Sequence, residues 1–211
     1  MTTLRRHTLV WLSQAPGAGT GDDLRRAADW QAARRPFVVT RRRDDGHGIG
    51  LGFCTTDPLH PELRPRRVAA HADPGHVAER ARPPLLAEIA RCPAARPHAE
   101  AFARLGEAAA GAGLETRIYG SWMWQALTGE RHVHDSSDLD VLIDVADADA
   151  AARAAAFLER AETELPFRID GELSIEGLGE VHWREVRQDK ADVLLKSIDA
   201  LRLVPRTELR P

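Results

Sequence analysis

Lysine is nearly missing from this 211-residue chain: Lys190 and Lys196 are the only two, and arginine supplies the other 27 of the 29 basic residues. Cysteine is as scarce. Cys54 and Cys92 lie far apart, match no metal or redox spacing, and are expected as buried thiols. The nine histidines include no second His/Cys pair spaced to complete a zinc site around His132 and His134. Long apolar runs are also absent. None approaches the ~18–20 residues that cross a bilayer, and the N-terminal run, residues 8–12, is shorter than the ~7–15 of a signal-peptide core. A cytoplasmic protein with no membrane contact is expected. Aromatics are only 5% of the chain, few of them lie among the arginines, and the net charge is -3, so nucleic acid is not an expected partner. The glycine-rich residues 16–21 lack the Lys-Ser/Thr of a phosphate loop and read as a plain loop. Glycines 46, 48, 50 and 52 do not fit the dinucleotide fingerprint. No internal repeat is present.

What the chain does have is enough apolar residue for a core, 43%, with an ordinary 29% charged. Residues 7–12, 36–41, 49–54 and 66–71 read as strands, with hairpin composition in the connection 42–48. Asp22-Asp23 caps a helix reaching about residue 33. These elements make a small α+β N-terminal domain, residues 1–82, on a short antiparallel sheet. Prolines 83, 84, 93 and 97 interrupt residues 83–97, which read as a linker containing one short helix, 85–91. Residues 98–211 form a second domain. It has an Ala-rich helix at 98–112, a strand at 116–119, a helix at 121–127, a strand at 139–145 and a long helix at 147–164. Strands follow at 167–175, 180–187 and 193–195. The fold class is α+β, with a small mixed sheet and flanking helices in the second domain.

The chemistry concentrates in residues 117–145. Tyr119 meets a Gly120-Ser121 turn that opens a helix, whose unpaired N–H groups can hold a phosphate. Eighteen residues on from Gly120, Asp138 and Asp140 stand at the head of an apolar, β-branched run. Residues two apart on a strand project to one face, with Cβ atoms roughly 6.6 Å apart at ~3.3 Å rise per residue. Two carboxylates so placed suit Mg²⁺, which takes oxygen ligands and keeps waters or substrate phosphates. A third carboxylate, Asp170, lies in a later strand and can complete the metal site or accept a proton if that strand is the neighbour. Glu172 is its weaker same-face alternative.

Tyr119-Gly120-Ser121, Asp138-Leu139-Asp140 and Asp170 together resemble the signature of the nucleotidyltransferase superfamily, so the second domain is expected to be nucleotidyltransferase-like. The wider set YGSWMWQALTG, SDLDVLIDV, RIDGEL, GEVHWREV and RRPFVVTRR resembles the malonate decarboxylase holo-[acyl-carrier-protein] synthase family, also called phosphoribosyl-dephospho-CoA transferases. The resemblance implies a specific reaction. A 2′-(5″-phosphoribosyl)-3′-dephospho-CoA group would pass from its 5″-triphosphoribosyl precursor to a serine of the apo acyl-carrier subunit of malonate decarboxylase, releasing pyrophosphate. It implies Mg²⁺ on Asp138, Asp140 and Asp170, with Gly120 and Ser121 on the outer phosphates. Trp124 is a candidate to stack on adenine, and Arg184 and Lys190 are candidates to meet phosphate. Arginines 34, 35, 41, 42, 43, 66 and 67 are candidates for docking an acidic carrier. Two other readings stay open: the same chemistry on a different protein or small-molecule acceptor, and a non-catalytic nucleotide-binding module.

Overall fold

The computed structural model of the chain describes residues 4–42, 48–57, 59–60, 62–188 and 190–209. Its contacts divide into two compact units. The first comprises Met1–Pro83 with Leu127–His132 and Ile198–Ala200; the second is the remainder. The proposed hairpin connection and Arg43 fall largely or wholly outside the described residues.

The first unit contains β1 (Leu9–Leu12), β2 (Gly17–Ala18), α1 (Gly21–Ala32), β3 (Phe37–Val39), β4 (Ile49–Thr55), β5 (Arg66–Ala72) and β6 (Val77–Ala81). Its six strands form one antiparallel sheet in the order β2-β5-β4-β3-β1-β6. Strand β5 alternates cleanly, burying Val68, Ala70 and Ala72. Strand β4 buries Ile49, Leu51 and Phe53, so its two glycines, 50 and 52, occupy the opposite face. Phe53 packs edge-on to Phe37 at 5.2 Å and tilted to Trp30 of α1 at 5.0 Å. Aromatic burial of this kind stabilises by roughly 1.5–3 kcal/mol per side chain.

Several expectations change here. The glycine-rich stretch is not all loop, because Gly17 and Ala18 pair with His71 and Ala70. Thr20, not Asp22-Asp23, caps α1, accepting the Asp23 N–H at 3.1 Å. The two aspartates instead bind Arg66 at 3.2 and 2.6 Å. Arg66 is therefore already neutralised, as are Arg35 on Glu130 and Arg42 on Asp199. Exposed Arg34, Arg41 and Arg67 are the stronger docking candidates of the set. Both thiols are only half-buried, not buried as expected, Cys54 because it falls on the outward phase of β4.

Glu130 anchors residues 127–132 into this unit. Its carboxylate accepts the Thr56 hydroxyl at 2.7 Å and pairs with Arg35 at 2.6 Å. Burial pushes its pKa up, but the bonds from Thr56 and Arg35 outweigh this and hold it below the usual 4.5. Its stabilising contribution is thus present above that value and lost as pH falls through the lowered folded one. Glu130→Gln should cost about 1 kcal/mol at neutral pH. In urea melts, the difference from wild type should vanish at low pH.

The second unit opens with α2 (Leu86–Ile89), α3 (Ala99–Gly111), β7 (Thr116–Ile118) and α4 (Gly120–Thr128), whose last two residues belong to the first unit. It continues with β8 (Leu139–Val145), α5 (Ala148–Thr163), β9 (Ile169–Ile175), β10 (Gly179–His182), α6 (Trp183–Arg187), β11 (Asp192–Lys196) and β12 (Leu201–Pro205). Its sheet is mixed, in the order β12-β11-β10-β9-β8-β7. Only β8 and β9 are parallel, joined through α5 as a β-α-β unit. Asp147 caps α5 by accepting the Ala150 N–H at 2.7 Å. One face of α5, Ala151, Ala154, Ala155, Phe157 and Leu158, packs on the sheet residues Leu139, Val141, Ile143, Ile169 and Leu173, with Phe102 and Leu105 of α3 in the same core.

Gly171 lets β9 lie close to its cover. A Cβ there would meet Leu158 Cδ1 and Trp183 Cδ1, each at 2.7 Å. Gly171→Ala should destabilise by about 1–3 kcal/mol through overpacking, read as a lower unfolding midpoint. The stretch 180–187 is not one strand. It turns at His182 into α6, because Trp183 and Val186, three apart, are the buried pair. Residues 93–98 of the proline-rich stretch are a 3₁₀ turn leading into α3 rather than an open linker.

Candidate active site

Strand pairing assembles the site. β7 runs antiparallel to β8, and the ladder extends one step further, from the Tyr119 N–H to the Asp140 carbonyl at 3.0 Å. The next residue, Gly120, starts α4 at φ +65°. A Cβ at Gly120 would fall on the Asp140 carboxylate, so only glycine lets the backbone approach that group. Gly120 and Ser121 are half-buried, at the end of α4 where the N–H groups lack helical acceptors.

On the other side, β8 and β9 are parallel and in register, pairing Asp140 with Asp170. Their backbones are about 4.8 Å apart, the spacing of neighbouring strands. Asp138 immediately precedes β8 and is half-buried. The loop before it is tied down: the Val133 N–H donates to Gln125 of α4 at 2.8 Å, and the His134 N–H donates to Ser137 Oγ at 2.9 Å. Gly120, Asp140 and Asp170 are thus brought together near the start of the parallel pair, with Ser121 and Asp138 beside them in the chain.

Asp170 has a partner that sequence reading missed. His182 Nε2 lies 3.0 Å from Asp170 Oδ1. This bond is the largest influence on Asp170 and holds its carboxyl below the usual 3.8, against the opposing effect of partial burial. Glu172, the alternative to Asp170, is only 5% exposed and pairs with Lys196 at 2.8 Å. It is already neutralised, which leaves Asp170 as the available carboxylate. Asp144 is exposed towards the other end of β8, opposite Ser174.

Three candidates do not join this cluster. Trp124 is 5% exposed, so its ring has no open face for adenine. Arg184 is committed to structure: it donates to the Ile169 carbonyl at 3.0 Å and to Glu162 at 2.5 Å, and stacks on Trp183 at 4.4 Å. Lys190 is exposed in the connection between α6 and β11.

Among the described residues, no group of three or more His, Cys, Asp or Glu side chains is set to hold a metal ion. The donors at hand are nonetheless all carboxylate oxygens. Mg²⁺ commonly uses one or two such groups and completes its shell with water and substrate phosphate. The Asp140–Asp170 pair beside an open helix start fits that demand. Among the described residues, no helix is long and apolar enough to cross a membrane.

Comparison with known proteins covers both units. Residues 5–83 match the family model for the phosphoribosyl-dephospho-CoA transferase MdcG N-terminal domain, and residues 85–207 match its C-terminal counterpart. These matches define an enzyme of the transferase class. Relatives called phosphoribosyl-dephospho-CoA transferase run the length of the chain. That of Xanthomonas axonopodis pv. citri is 35% identical over 214 residues, spanning 98% of this chain and 96% of the relative. That of Bradyrhizobium diazoefficiens is 38% identical over 219 residues, spanning 95% and 90%. The chain belongs to the phosphoribosyl-dephospho-CoA transferase family. No solved structure matches it.

Proposed function

We propose that this chain is a cytoplasmic, Mg²⁺-dependent transferase whose second unit has a nucleotidyltransferase-like fold. It moves the 2′-(5″-phosphoribosyl)-3′-dephospho-CoA group from the 5″-triphosphoribosyl precursor onto a serine of the apo acyl-carrier subunit of malonate decarboxylase. The observation that carries this reading is the in-register pair Asp140 and Asp170 against the backbone of Gly120. The relatives' name supports the dephospho-CoA donor. The malonate decarboxylase carrier follows from the motif resemblance.

The serine Oγ bonds to the α-phosphorus of the donor's triphosphate as the α–β bridge breaks, and pyrophosphate leaves, taking up the proton that the serine hydroxyl gives up. Asp140 and Asp170, with Asp138, would hold Mg²⁺, which when bound neutralises charge on the α-phosphate and the leaving group. Gly120 and Ser121 hold the outer phosphates through the N–H groups that open α4. Asp170 would hold the cation: the His182 bond keeps its carboxyl ionised, below the usual range. The exposed Arg34, Arg41 and Arg67 of the first unit offer positive charge to an acidic carrier, chiefly raising the association rate.

The test is intact-mass spectrometry of purified apo carrier subunit after incubation with enzyme, Mg²⁺ and the triphosphoribosyl donor. The carrier should gain the mass of the phosphoribosyl-dephospho-CoA group. An unchanged carrier mass rejects this acceptor.

A further inference from the structure

The histidine beside Asp170 is held from both ring nitrogens. Nδ1 accepts the backbone N–H of Arg184 at 3.1 Å, the bond that caps α6. An accepting nitrogen carries no proton, so in the neutral ring the proton sits on Nε2. Nε2 is the atom 3.0 Å from Asp170 Oδ1. The ring is further restrained by stacking on Trp183, centroid to centroid 6.2 Å, and its side chain is only 20% exposed. Trp183 is itself fixed, donating its indole N–H to the Ile169 carbonyl at 3.2 Å. A chain of restraint therefore runs from the start of α6 through one imidazole to the carboxylate in register with Asp140.

We propose that His182 is a positioning residue for the transfer reaction: the capped imidazole presents a single N–H that fixes the Asp170 carboxylate beside Asp140 for a phosphate-bound cation. This rests on the reading given under Proposed function. Its ring nitrogens are both occupied, so it orients Asp170 and does not itself receive the serine's proton. Carboxylates that bind metal are commonly oriented by such a donor, and losing it typically lowers affinity or activity about 10- to 100-fold.

Two substitutions separate the two bonds. His182→Gln keeps an amide N–H at the distance of Nε2 but loses the acceptor that caps α6. His182→Asn keeps the capping acceptor, but its side chain is too short to reach Asp170. If His182 positions Asp170, transfer by H182Q should stay within about threefold of wild type, while H182N should fall about 10- to 100-fold. Calorimetric affinity of the full chain for Mn²⁺, as a probe ion, should fall in H182N and not in H182Q. The reverse order, with H182N active and H182Q impaired, would mean that the ring matters only as a helix cap and would overturn the proposal. Equal impairment or equal activity of the two overturns it as well. The tautomer is a separate readout. Long-range ¹H–¹⁵N spectra of the wild-type protein should show His182 protonated at Nε2, and a proton at Nδ1 rejects the geometry whatever the acceptor. If instead the wild-type chain transfers nothing while the Nε2 proton and the Mn²⁺ order hold, the assigned reaction fails and the positioning role stands.

Discussion

Asp140→Asn should lower transfer of the prosthetic group by about a thousandfold or more, the scale on which losing a central charge in a metal-assisted site acts. That is a loss of about 4 kcal/mol of transition-state stabilisation. Asp140 is singled out because three elements meet at it: the Gly120 backbone touches its carboxylate, Asp170 faces it in register, and Tyr119 bonds its carbonyl. The substitution keeps shape and removes charge, so the fold should survive. Asp170→Asn should also be severely impaired. The double variant should be little worse than the poorer single one, because groups acting as a unit are not additive. Asp144→Asn, exposed on the same strand, is the control and should stay within about twofold, as for surface substitutions away from the chemistry. Single-turnover rates at saturating Mg²⁺ decide it. A wild-type rate for Asp140→Asn would falsify the metal-site reading.

Gly120→Ala is the second large effect, and it has two separable parts. A non-glycine residue at φ +65° costs roughly 1–2 kcal/mol. The added methyl must also displace the Asp140 carboxylate, and a shift of about 1 Å at a reacting centre can cost 10²-fold. Gly113 isolates the first part. It sits at φ +68° with nothing within 4 Å of its would-be Cβ. Gly113→Ala should therefore lower stability by a similar amount and leave transfer nearly unchanged. Gly120→Ala should lose about a hundredfold in rate. Equal rates for the two variants would show that the Gly120 contact does not serve the chemistry.

The elements legible in the sequence were those with a buried face. β4 and β5 alternate strongly, β8 is apolar at five of its seven residues, and α1, α3 and α5 carry apolar stripes. Those missed were β2, β6 and β12, and all three are sheet edges. An edge strand pairs on one side only and carries polar residues, so its periodicity is weak. β6 exposes the middle three of its five residues, and β12 exposes four of five. α6 was misread as strand because Val181 and Trp183 alternate, whereas the helix is started by the His182 cap.

The same division runs through the site. The chain's local order was enough to set Asp138 and Asp140 at the head of a strand and Gly120-Ser121 at the start of a helix, because a period of two and a glycine turn are local properties. The family resemblance was legible for the same reason. Only tertiary structure decided which carboxylate faces Asp140, because strand register is a long-range pairing that periodicity leaves open. It set Asp170 in register with Asp140, paired Glu172 with Lys196, buried Trp124 and tied Arg184 to Glu162. It also brought in His182, twelve residues beyond Asp170, through the antiparallel return of β10.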